Sequence, residues 1–273
     1  MKERKAVQLT RRIYSKSVES EWNRAVKDPF HCLEFDTTMR FLKKHLPKKG
    51  LVLDAGGGPG RYTIELAKMG YEVILLDITP ENLDFATEKI IEAGVADNVK
   101  GIVEGSITDL SIFKNNSFDA VLCLGGPLSH VSESGNRSKA ISELIRIAKP
   151  GAPIAVSVIG RFGVLACAPG GWPEEISTRN FLNEAFKGED HMWRGNHYAH
   201  LFVLDEFERL FKGKAKVIER VGLEGLATPI AKEINELHKH KSRWRNWIKA
   251  HYGLCTHPSV IDFSQHIMLI ARK

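Results

Sequence analysis

Long apolar runs are missing from this chain. The most extended, near Ile154–Ile159 and Val164–Ala168, fall well short of the roughly 20 residues that a helix needs to cross a bilayer, so a membrane-spanning helix is not expected. No apolar segment follows the basic start Met1-Lys2-Glu3-Arg4-Lys5, which argues against a secretory signal. Cysteine is scarce: Cys32, Cys123, Cys167 and Cys255 are far apart and form no C-x-x-C pair. That spacing excludes a disulfide-stapled scaffold and predicts reduced, packed thiols in a cytoplasmic protein. Repeats and low-complexity tracts are absent, which excludes a solenoid. Acidic residues are the minority charge, 33 against 39 Lys and Arg, for a net charge of +6. The excess sits in one place, since Lys212 to Lys249 holds ten Lys/Arg against four Asp/Glu. Histidines cluster at His191, His197 and His200, at His238 and His240, and at His251 and His257. None forms an H-E-x-x-H or other fixed ligand pattern, so no metal is expected.

What is present is concentrated in Val52-Leu53-Asp54-Ala55-Gly56-Gly57-Gly58-Pro59-Gly60. Apolar β-formers that run into glycines read as a buried strand breaking into a tight turn. Arg61 to Met69 then has helical spacing, with Ile64, Leu66, Ala67 and Met69 apolar. A strand, a glycine loop and a helix N-terminus bring bare backbone and free N–H groups up to a ligand. The dinucleotide pattern G-x-G-x-x-G/A fits poorly, because its third small residue falls on Arg61 or on Thr63. A nicotinamide-dependent dehydrogenase is therefore a remote reading.

Downstream, strand and helix patterns alternate. Tyr71–Asp77 is a second strand ending in an acid, with Thr79 and Pro80 placed to open a helix that Gly94 closes. Asp77 stands where an acid can accept hydrogen bonds from both hydroxyls of a ribose. Val99–Glu104 is a third strand, and Phe118–Leu124 a fourth, followed by Gly125-Gly126-Pro127. Asn136 to Lys149 is an amphipathic helix, Lys149-Pro150-Gly151 a turn, and Ile154–Ile159 a fifth strand. Ala215–Val221 and His266–Ala271 read as the sixth and seventh. Mostly apolar strands separated by helices belong in a parallel sheet covered on both faces.

The acid followed by G-x-G-x-G, at Asp54, Gly56, Gly58 and Gly60, resembles the first motif of class I S-adenosylmethionine (SAM)-dependent methyltransferases, the Rossmann-like, type 11/25-like kind. Ser117-Phe118-Asp119-Ala120-Val121-Leu122 resembles the fourth motif of that family, and Lys149-Pro150-Gly151 matches another of its features. The resemblance covers roughly Leu51 to Ile159. It implies an α/β, doubly wound, seven-stranded and mostly parallel sheet of order 3-2-1-4-5-7-6 with helical cap insertions. It implies SAM as cofactor. Asp54, Gly56, Gly58 and Gly60 would surround its methionine and ribose part, and Asp77 would bind the ribose. Ile78 would pack on the adenine, Ser106 and Ile107 would flank it, and Leu124 and Gly125 would line the methionine side. Where the family usually has Gly-Asp-Ala after the third strand, this chain has Gly105-Ser106-Ile107. A hydroxyl replaces a carboxylate there, and Asp109 or the main chain could read the base instead.

One domain spans 1–273 on this reading, with a helical cover at 1–48 and cap insertions at 161–204 and 224–264. Methyl transfer needs positioning and desolvation more than side-chain chemistry, since the cofactor carries the reactivity. His130 and His200 are the candidates for a base, should the acceptor lose a proton. The first functional reading is methyl transfer to a small molecule. An RNA (tRNA or rRNA) methyltransferase using the basic face 239–249 is the alternative, although no Asn-Pro-Pro-Tyr-like motif is present. A non-catalytic SAM-binding protein is the third.

Overall fold

The structure is a computed structural model that describes residues 3–193 and 197–273. Three helices precede the sheet: α1 (Glu3–Tyr14), α2 (Val18–Arg24) and α3 (Pro29–His45). Asp28 caps α3, accepting the His31 N–H at 3.0 Å, and Pro29 occupies the first turn, where no amide is missed. Then come β1 (Leu51–Ala55), α4 (Arg61–Lys68), β2 (Glu72–Asp77), α5 (Pro80–Glu92), β3 (Val99–Glu104), β4 (Ala120–Cys123), α6 (Ser134–Ile147) and β5 (Pro153–Ile159). The first insertion holds α7 (Arg161–Gly171), α8 (Arg179–Lys187) and a hairpin of β6 (Glu189–Trp193) and β7 (His197–His200). Residues 194–196 of that expected insertion lie outside the described residues. After α9 (Leu204–Arg209) and β8 (Lys216–Gly222), the second insertion carries α10 (Ala231–His238), α11 (Lys241–Leu254) and α12 (Pro258–Ile261) before β9 (His266–Arg272).

The seven-stranded sheet has the order β3-β2-β1-β4-β5-β9-β8. Neighbours from β3 to β5 are parallel, and β9 runs antiparallel to both β5 and β8. This is the expected arrangement; the hairpin β6–β7 only shifts the numbering of the last two strands. Alternate residues of β1 feed opposite layers. Leu53 and Ala55 join a core with Val121, Ile141, Leu144 and Phe207, while Val52 joins Leu42, Leu66, Leu75 and Ile270. A strand buried on both faces in this way is apolar, as β1 is apart from Asp54, whose carboxylate meets the Thr63 hydroxyl.

Across 230–250 the chain forms two helices, α10 and α11, separated at Lys239-His240. The helix expected from Asn136 starts at Ser134 and ends at Ile147. At the start of α9 the Leu204 N–H is met by Asp262 Oδ1 at 2.7 Å, from the second insertion, and Glu208 pairs with Arg220. Among the described residues no helix is long and apolar enough to cross a membrane.

Candidate active site

The parallel strands β1, β2, β3 and β4 all end at one edge, and their following loops surround a single cavity. Its walls include Gly56–Pro59, Asp77–Thr79, Asn82, Gly105–Thr108, Leu124–Gly125 and Pro127. Sheet order forces this convergence, because β1 lies between β2 and β4. The glycine loop is packed too tightly for side chains. A Cβ on Gly57 would come within 2.5 Å of Asp54 Oδ2 and Leu75 Cδ1, and one on Gly56 within 2.6 Å of Pro127.

The expected residues separate into those that reach the cavity and those that support it. Gly56, Gly58, Asp77, Ile78, Ser106, Ile107, Leu124, Gly125 and His130 line it. Asp54 and Gly60 do not. Asp54 is fully buried beneath the loop and accepts the Thr63 hydroxyl at 2.7 Å. Burial raises its pKa to about 6, against the opposing hydrogen bond from Thr63. Gly60 adopts φ +82° as the N-cap of α4, which turns the chain into the helix. His200 is also elsewhere. It is buried, bonded through Nε2 to Glu206 at 2.6 Å, and lines neither this cavity nor the one beside it. Asp109 is exposed and turns back to accept the Ser111 N–H, so it does not replace the missing acid.

Asp77 clamps the loop. Its Oδ2 accepts the Gly58 N–H at 2.9 Å, and its Oδ1 accepts the Thr79 N–H at 2.8 Å and the Asn82 amide at 3.3 Å. Burial raises its pKa and these bonds oppose the rise. The Ser106 hydroxyl is shared with Thr108, which closes the turn after β3. The Gly125 N–H donates to Ser157 Oγ at 2.8 Å.

The N-terminal helices cover this cavity with Val7, Thr10, Tyr14, Glu21, Arg24 and Ala25. The sequence suggests a helical cover over 1–48 but not which of its side chains face the cavity, since nothing local marks a helix residue as facing a cavity 30 or more positions downstream. Arg61 fixes the cover: its Nε donates to the Trp22 carbonyl at 2.9 Å and its guanidinium lies 4.0 Å from the centre of the Trp22 ring.

A second cavity opens beside the first and shares Tyr14, Glu21, Arg24, Gly125 and His130 with it. Its far wall carries Ser20, Lys27, His31, Glu34, Glu224, Gln265 and His266. Four ionisable groups interlock there. Arg24 pairs with Glu34, and His266 Nδ1 lies 2.6 Å from Glu224 and 3.8 Å from Glu34. Burial alone would raise the Glu34 pKa, but Arg24 and His266 outweigh it and hold the carboxyl at about 2. Burial alone would lower the His266 pKa, and the two glutamates outweigh that and raise it. Glu34, Glu224 and His266 are grouped closely enough to hold a metal ion, although here the Arg24 guanidinium supplies the cation. Their separation in sequence hid this cluster.

The first cavity thus brings together an acid at the end of β2, Asp77, and the apolar side chains of Ile78 and Ile107. Residues 52–151 match the family model described as a methyltransferase domain. The chain is 22% identical over 206 residues to the putative methyltransferase YqeM of Bacillus subtilis, covering 68% of this chain and 81% of that protein. It is similar to the SAM-dependent methyltransferase structure from Methanosarcina mazei, with a TM-score of 0.59, 20% identity, and coverage of 85% and 96%. Residues 52–151 thus carry a methyltransferase domain, on a fold shared with SAM-dependent methyltransferases. The chain is also 30% identical over 134 residues to the ubiquinone biosynthesis O-methyltransferase of Xanthomonas axonopodis pv. citri, a match that covers 49% of this chain. That match spans about half of the Xanthomonas protein, 53% of its length.

Proposed function

We propose that this methyltransferase binds SAM in the first cavity and methylates a small molecule held in the second. The observation that carries this reading is the shared wall: Tyr14, Glu21, Arg24, Gly125 and His130 border both cavities. A donor on one side and a methyl acceptor on the other would meet at Gly125, where the missing side chain leaves room. Asp77 would take the ribose hydroxyls. Ile78 and Ile107 would hold the adenine, with Ser106 and Thr108 at its edge. Leu124, Gly125 and the Gly56–Gly58 backbone would line the methionine part, with Asp54 and Gly60 holding that backbone in place. Bound SAM supplies a methyl carbon activated by its sulfonium; the chain's own task is to align, desolvate and exclude water.

The polar far wall favours a small polar acceptor. A buried ion cluster is costly to assemble and concentrates at functional sites. The basic face at 239–249 supports an RNA acceptor less well. Trp244 and Trp247 are stacked on each other and packed with Phe30 and Ile234, so they hold the cap together rather than offer a base platform. Four free thiols fit a reducing compartment, and we place the protein in the cytoplasm on that ground.

Calorimetric titration with SAM, S-adenosylhomocysteine (SAH) and NAD tests the donor site. Binding of SAM and SAH without NAD is expected; binding of NAD alone would overturn the reading. Steeply salt-dependent binding of tRNA would move the acceptor assignment to RNA.

A further inference from the structure

His130 sits at the end of the short helical turn Pro127–His130 that follows β4, on the wall common to both cavities. Its Nδ1 lies 3.2 Å from the Tyr198 carbonyl in β7. A carbonyl only accepts, so Nδ1 carries a proton, and in the neutral ring Nε2 presents its lone pair. That lone pair faces the Tyr14 hydroxyl at 2.8 Å, from α1. The imidazole is stacked on His197 at 4.6 Å between centroids, and the Tyr14 ring meets both histidines edge-on. Three segments from distant parts of the chain thus fix one ring nitrogen and one phenol on the shared wall.

We propose that Tyr14 and His130 together accept the proton released on methyl transfer, so that the acceptor is a small molecule with an O–H or N–H nucleophile. This rests on the reading of the first cavity as the SAM site. As the nucleophile forms its bond to the methyl carbon, the C–S bond pair stays with sulfur and SAH results. The proton on the nucleophile passes to Tyr14 Oη, while the Tyr14 proton passes to His130 Nε2. The Tyr198 carbonyl holds the Nδ1 proton throughout and stabilises the imidazolium that forms. Atoms and charge balance: sulfonium, neutral O–H or N–H acceptor and neutral imidazole give thioether, methylated product and imidazolium. Tyr14 is the group that touches the acceptor, and His130 acts through it.

On this reading Tyr14 would offer a hydrogen-bond acceptor to whatever group takes the place of the methyl, which a ligand can probe without an acceptor substrate. Sinefungin carries a primary amine where SAM has its methyl; SAH has nothing there. The wild-type protein is expected to bind sinefungin about tenfold or more tightly than SAH, through a charge-assisted hydrogen bond to Tyr14 Oη. Tyr14→Phe should remove about tenfold of that preference while SAH affinity stays within about threefold. His130→Ala should reduce the preference, and His130→Gln, whose amide oxygen can accept from Tyr14, should restore part of it. An unchanged sinefungin-to-SAH ratio in Tyr14→Phe overturns the proposal. So does loss of both ligands in Tyr14→Phe and His130→Ala, which would make the pair structural. A wild-type protein that binds neither ligand overturns the cofactor reading itself, a separate result.

Discussion

Asp77 and Gly58 are joined by a 2.9 Å hydrogen bond from the glycine amide to the carboxylate, which ties the end of β2 to the loop after β1. The same carboxylate lines the cavity, and on the proposed reading it also meets the ribose. Asp77→Ala is expected to weaken SAH binding about 10- to 100-fold, the worth of one or two hydrogen bonds to a charged group. Calorimetric titration measures it, and an affinity equal to the wild type would remove Asp77 from the site.

Asp54 is expected to oppose stability at neutral pH. Its folded pKa of about 6 lies above the ordinary aspartate value of 3.8, so the folded state holds the extra proton between those values. Stability from this group is therefore full at low pH and is lost as pH rises through about 6. Asp54→Asn keeps an oxygen for the Thr63 hydroxyl without the charge. It should stabilise the protein by roughly 1–3 kcal/mol at pH 7.5 and by little at pH 4, read from denaturant midpoints. A destabilised variant at pH 7.5 would contradict this account.

His251 works in the opposite sense. Burial lowers its pKa to about 4, and its Nε2 lies 2.9 Å from Thr37 Oγ1. The unfolded chain binds the proton first, so stability present above the usual histidine pKa is lost as pH falls towards 4. Replacing His251 with Gln should flatten the acid limb of the stability curve by up to about 1.4 kcal/mol per pH unit in that window. Urea unfolding at a series of pH values checks it; identical limbs would show that His251 does not titrate there.

Glu34 holds the ion cluster together. It is 3% exposed and compensates both Arg24 and His266. Glu34→Gln leaves those charges under-compensated in a poorly hydrated wall and should cost about 3–5 kcal/mol. Thermal unfolding reads the loss, and a change below about 1 kcal/mol would mean that water screens the cluster. The double replacement Arg24→Met with Glu34→Leu should recover much of the stability while altering the second cavity.

Legibility in the sequence followed contact distance along the chain. The strand–loop–helix unit from Leu51 to Asp77 is read locally, because the glycines, the acid and the helix start are neighbours and each constrains the next. The same holds for the strand pattern, since burial on both faces requires the apolar runs that the sequence shows. Asp54 marks where local reading over-reaches: it belongs to the motif, yet it faces the underside of the loop rather than the cavity. His200 failed for a related reason. It was a candidate base by residue type, but its ring is buried and meets Glu206 rather than either cavity.

By itself, then, the sequence determined the order of strands and helices, the glycine loop and the acid that follows it, because periodicity and turn chemistry act over a few residues. Only the tertiary structure decided what lies opposite that loop. Tyr14 meets His130 across 116 positions of sequence, and Arg24, Glu34, Glu224 and His266 assemble from both ends of the chain. Such contacts arise when the sheet edge, α1–α3 and the second insertion pack together, and no local pattern encodes which side chains that packing brings face to face.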